Sequence, residues 1–188
     1  ADLLNLAAAA AYNLGDMAKA EACWRQAVTV KPTFAEAYNN LGAVLKARNA
    51  LSDAEAAFTQ AIKLIPNNPG ALHNLGQLQA ARGEAAAAET SLREALRLSP
   101  QFPAAWTDLG NLFLEGGKKS EALEALRNAV QLAPNDPIAA YNLGRALEAQ
   151  SLVSEAISAY EQAVALAPGF AQPWNNLGVL QYSQRRSE

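Results

Sequence analysis

Asn40, Asn74, Asp108, Asn142 and Asn176 stand 34 residues apart along the chain. A carboxamide carries both donors and an acceptor, so one Asn can hold the C=O and the N–H of a single peptide unit together. Asp108 offers only acceptors, so it can meet a backbone N–H but not a C=O. Asn is a mediocre helix former, so its recurrence in register implies a role for the side chain. One residue earlier in each period stand Asn39, His73, Thr107, Tyr141 and Asn175; three residues later stand Gln77, Asn111 and Arg145. Charges are sparse around this set, namely Glu36, Lys46, Glu115 and Glu148. The chemistry on offer is neutral, polar and directed at a backbone.

Catalytic arrangements are not supported. His73 is the single histidine and Cys23 the single cysteine. That excludes an internal disulfide and a multi-histidine or cysteine-based metal centre, and no Ser-His-Asp or Cys-His arrangement can be proposed around His73. His73 points away from the apolar stripe of its segment and reads as a solvated or groove-lining side chain. Gly116-Gly117-Lys118-Lys119 lacks the spacing of a phosphate-binding loop and reads as a helix cap. Glu21, Glu55 and Glu89 recur at one register and read as solvated surface. No metal or cofactor is implied. The net charge is −3, without the basic stripe of a nucleic-acid binder. No apolar run approaches the length needed to cross a bilayer.

The elements that position these residues repeat with the same period. Gly42, Gly76, Gly110, Gly144 and Gly178 keep the 34-residue spacing, as do Pro32, Pro66, Pro100, Pro134 and Pro168. The Leu41, Ala20 and Ala27 series keep it too. Five units follow (1–34, 35–68, 69–102, 103–136 and 137–170), with a half unit at 171–188. Numbering phases 1 to 34 within a unit, apolar or small residues fall at phases 4, 7, 8 and 11 and again at 20, 24, 27 and 28. Each set is one face of a helix. A breaker at phase 15 (Gly15, Asn49, Gly83, Gly117, with the weaker Ser151) separates them, and proline at phase 32 ends the second. Small residues on the buried stripes allow close helix approach, and the large residues at phase 24 (Trp24, Phe58, Leu92, Leu126, Tyr160) fill the space left. A lone pair of helices cannot bury both stripes, so units stack. The expected fold is all-α: a right-handed superhelical solenoid of antiparallel helix pairs forming one array over 1–188.

This pattern resembles the tetratricopeptide repeat family, whose signature is W-x2-L-G-x2-Y…A-x3-F…A…P. Trp106-Thr107-Asp108-Leu109-Gly110-Asn111-Leu112-Phe113 reproduces its first-helix half. The first unit departs with Ala7, Ala8 and Ala11, and the fifth with Ala140 at phase 4 beside Tyr141. The resemblance implies a protein-interaction module with its site on the concave face lined by first helices. The repeats of O-linked N-acetylglucosamine transferases are similar, with an Asn ladder at the same phase; Asn40, Asn74, Asn142 and Asn176 match it and Asp108 does not. A substrate-recruiting arm of such an enzyme, or a self-associating scaffold, are the alternative readings. Phases 5 and 6 hold no Lys or Arg in any unit, unlike the carboxylate clamp of chaperone-binding members.

First helices stacked roughly 10 Å apart would present one rung to every third residue of an extended segment advancing about 3.3 Å per residue. The expected peptide-binding set is Asn40, Asn74, Asp108, Asn142 and Asn176 with Asn39, His73, Gln77, Asn111, Tyr141 and Arg145. The same carboxamides could instead bridge neighbouring repeats. Leu3, Leu4 and Leu6 at one end, and Trp174, Leu177, Gly178 and Leu180 at the other, lack a covering helix. With no initiator Met, the chain is expected to be a piece of a longer protein, or to associate end to end.

Overall fold

The computed structural model describes residues 1–185. Eleven helices and no strand occur among the described residues: α1 (Asp2–Asn13), α2 (Met17–Val30), α3 (Ala35–Ala47), α4 (Leu51–Leu64), α5 (Pro69–Ala81), α6 (Ala85–Leu98), α7 (Pro103–Glu115), α8 (Lys119–Leu132), α9 (Pro137–Ala149), α10 (Val153–Leu166) and α11 (Ala171–Arg185). They form two compact units, Ala1–Ser99 and Pro100–Glu188.

Local chemistry sets the helix ends. Gly15, Asn49, Gly83, Gly117 and Ser151 all adopt positive φ, between 62° and 80°. At each, the next residue donates its N–H to a carbonyl five residues back, as Asp16 does to Ala11 and Leu152 to Leu147, both at 2.9 Å. This left-handed turn satisfies the carbonyls that a helix end leaves open. Glycine takes the conformation freely; Ser151 holds it with a Cβ, at a cost. Second helices stop two residues before each phase-32 proline, and the residue between, such as Ile65 at φ −135°, is already extended. Steric pressure from the proline ring on the preceding residue explains that stop.

Packing within a helix pair follows from the phase-8 glycines. A Cβ on Gly42 would fall 2.5 Å from the Phe58 ring, and one on Gly144 would fall 2.5 Å from the Tyr160 ring. Leu92 fills the same role over Gly76, and Leu126 over Gly110. Phe58, Leu92, Leu126 and Tyr160 are all fully buried. A Cβ on Gly178 would meet nothing within 4 Å. In Ala1–Ser99 the core runs from Ala8 and Trp24 through Leu41, Val44 and Phe58 to Leu78. In Pro100–Glu188 it gathers Leu126, Ala146, Leu147, Tyr160, Leu177 and Leu180.

First helices bury more than the expected stripe. Phases 3 (Ala37, Ala71, Ala105, Ala139) and 10 (Val44, Leu78, Leu112, Ala146) are also buried. First helices also meet one another, α3 with α5 and α7 with α9. The free arc of each first helix is therefore narrower than a single stripe implies.

Ion pairs tie repeats together on the second-helix side. Arg48 pairs with Glu21 of the preceding repeat, and Arg82 with Glu55. These glutamates are more than solvated surface. Arg25 reaches forward to Asp53 at 3.4 Å, and Arg127 to Glu155 at 3.1 Å.

Candidate functional site

In Ala1–Ser99, α3 and α5 carry the first part of the polar ladder. Asn74 Nδ2 donates to Asn39 Oδ1 at 2.9 Å, so these two side chains bridge neighbouring repeats. Lys46 Nζ donates to Gln77 Oε1 at 2.6 Å across the same junction. Asn40 lines a cleft of about 200 Å³ with Tyr12, Asn13, Trp24, Ala9 and Ala43. The Trp24 indole N–H is spent on Asn5 Oδ1 at 2.8 Å, leaving its ring to form the wall. His73 is a correction to the sequence reading. It is buried and neither solvated nor lining an open face. Phase 5 is covered at His73 and Thr107 but not at Asn175, which one-stripe geometry does not anticipate.

In Pro100–Glu188, Thr107 and Asn142 are buried as well, at 7 % and 5 % exposure. Thr107 Oγ1 and Asn111 Oδ1, one turn apart on α7, are buried without a hydrogen-bond partner among the described residues. Asp108 is half-buried between them in sequence. Asn142 Oδ1 accepts from Arg145 Nη1 at 3.2 Å, and its amide hydrogens bond none of the described residues. Asn176 Nδ2 donates to the Tyr160 hydroxyl at 3.0 Å, and that hydroxyl donates to Glu148 Oε2 at 2.7 Å. Burial pushes the Tyr160 phenol well above its ordinary pKa; the Asn176 bond opposes this and the Glu148 carboxylate adds to it. The phenol therefore stays protonated and works as a strut between α9, α10 and α11.

The larger cleft, about 450 Å³, opens in this second unit between Pro137, Ile138, Tyr141, Asn142, Ala167, Phe170 and Gln172. Tyr141 and Phe170 meet edge to face with ring centres 5.1 Å apart, and Arg145 lies over the Tyr141 ring at 6.0 Å. The sequence reading named Tyr141, Asn142 and Arg145 but missed Ile138 and Phe170. A signal was present for the latter: Phe34, Phe102 and Phe170 recur at phase 34, just before α3, α7 and α11.

The ladder is thus uneven. Asn74 and Asn176 are engaged by neighbouring elements, Asn142 by its own helix, and Asn40 faces a cleft. The bridging role holds for part of the set, while Asn142, Thr107 and Asn111 retain unused capacity. No group of His, Cys, Asp and Glu among the described residues could hold a metal. No helix among them is long and apolar enough to cross a membrane.

Family models for the tetratricopeptide repeat match residues 73–137, 107–171 and 141–188, and another matches 35–68. A further model described as a TPR repeat matches residues 8–48. No curated protein matches the sequence. Among solved structures, PilF from Pseudomonas aeruginosa is 19 % identical, covering 98 % of this chain and 90 % of its own, with a TM-score of 0.81. YrrB, described as a TPR protein with an unusual peptide-binding site, is 24 % identical over 88 % of this chain and 85 % of its own, with a TM-score of 0.73. A MamA fragment from Desulfovibrio magneticus RS-1 is 26 % identical over 80 % of this chain and 85 % of its own, at 0.72.

Proposed function

The chain belongs to the tetratricopeptide repeat family, and from that premise we propose that it is a non-catalytic module whose first helices hold an extended protein segment. That it is a protein-interaction module follows from the family; the mode of binding is our reading. One observation carries it. Thr107 Oγ1 and Asn111 Oδ1 on α7 are buried without a hydrogen-bond partner among the described residues, and Asn142 on α9 uses its Oδ1 on Arg145 while its amide donates to none of them. Buried polar groups in folded proteins are nearly always paired, since an unmade bond costs about 1–3 kcal/mol. A main chain in extended form supplies N–H and C=O partners whatever its side chains, and it reaches the two covered oxygens by displacing the side chains over them. The mention of a peptide-binding site in the description of YrrB supports the same direction.

The test is selection of a random linear peptide library on the intact chain, followed by titration of the retained peptides. The Asn111→Ala/Asn142→Ala double variant is expected to keep its helical circular dichroism and to bind at least ten times more weakly. Retention of no peptide, or equal affinity for the variant, would overturn the proposal.

A further inference from the structure

The cleft between α9, α11 and the α10–α11 loop is mostly apolar. Its walls are the Ile138, Tyr141, Phe170 and Ala167 side chains, and Ile138 is 56 % exposed there. A half-exposed isoleucine beside two aromatic rings is costly to leave in water, because covering apolar surface is favourable. The volume, about 450 Å³, exceeds what one large apolar side chain fills. Asn142, 5 % exposed, forms part of the lining with an unspent amide donor. That donor can anchor the main chain of whatever enters. At the edge stands Arg145, whose guanidinium lies over Tyr141 and donates to Asn142 Oδ1 but forms no ion pair with a described residue. Glu148, one turn further along α9, is engaged by the Tyr160 hydroxyl.

Resting on the extended-segment reading, we propose that this cleft is its specificity pocket: it takes a Phe, Leu or Ile side chain of the bound segment, with an Asp or Glu of that segment one or two residues away on Arg145. The argument is one of complementarity. Apolar walls select the anchor, the Asn142 amide meets an anchor-residue carbonyl, and the unpaired guanidinium selects an acidic neighbour. A segment with a lysine at that neighbouring place would set two cations together.

The experiment sequences the peptides that the library yields on the intact chain and titrates the leading one by fluorescence anisotropy. Enrichment of an aromatic or branched aliphatic residue within two places of an acid is expected. Ile138→Asp is expected to weaken the leading peptide at least tenfold. Arg145→Glu is expected to weaken it about as much and to be rescued when the peptide acid is replaced by lysine. Selected peptides that lack this pairing, or that bind Ile138→Asp as well as the wild type, would overturn the pocket while leaving the extended-segment reading in place. Recovery of no peptide at all would overturn both.

Discussion

Replacing Gly144 by alanine tests the packing logic most sharply. The new Cβ would lie 2.5 and 2.6 Å from two atoms of the Tyr160 ring, closer than any real Cβ contact. That ring cannot slide away cheaply, because its hydroxyl is held by Glu148 at 2.7 Å and Asn176 at 3.0 Å. Overpacking a tight core costs about 1–3 kcal/mol, and each strained hydrogen bond adds about 1 kcal/mol. Alanine returns about 1 kcal/mol through its better helix propensity. The net expectation is a loss of about 2–4 kcal/mol. Gly178 occupies the same phase on α11, where a Cβ meets nothing within 4 Å. Gly178→Ala therefore keeps the propensity gain alone and is expected to stabilise by up to about 1 kcal/mol. Gly76→Ala should fall between them, since its nearest atom is Leu92 Cγ at 2.9 Å and Leu92 has no polar anchor. Urea titrations followed by helical circular dichroism measure all three. Equal stability of the 144 and 178 variants, or the reverse order, would refute the claim that glycine serves helix approach.

Other outcomes follow from the same geometry. Ser151→Asn or Ser151→Gly relieves a non-glycine residue at φ +62° and is expected to raise stability by about 0.5–1 kcal/mol, read by thermal melts. The Tyr160 phenol is raised above its unfolded value near 10, so the stability it confers is intact below that pH and is lost as the pH climbs above it. Denaturation between pH 9 and about 11.5 should show a steeper decline in the wild type than in Tyr160→Phe, which has no phenol to ionise. Arg82→Ala breaks a partly exposed pair with Glu55 and is expected to cost under about 1 kcal/mol, with the difference shrinking in 1 M salt.

Much of the fold was legible because its determinants are local and repeat. Phase-15 residues that tolerate a left-handed turn and phase-32 prolines mark helix ends through their own backbone sterics, so both could be placed by counting. The pairing of phase-8 glycine with the phase-24 side chain followed from small meeting large. The second buried stripe was also written in the chain, as Ala37, Ala71, Ala105 and Ala139 and as Val44, Leu78, Leu112 and Ala146. It went unread because alanine at one phase resembles ordinary helix filler. His73 was misplaced because the apolar stripe of one helix does not report what the surrounding elements cover.

The residues by themselves determined the period, the helix pair and the turns, since each depends on chain neighbours. Tertiary structure alone decided which carboxamides are spent. Asn74 finds Asn39, Asn176 finds Tyr160, and the Asn142 amide stays unspent, although all three Asn hold the same phase. It also decided that Ile138, Tyr141 and Phe170 frame a cleft. Equivalent positions diverge because each hydrogen bond and each gap is set by the volumes of side chains brought in from adjacent elements. A 34-residue pattern repeats the backbone, but it does not repeat those volumes.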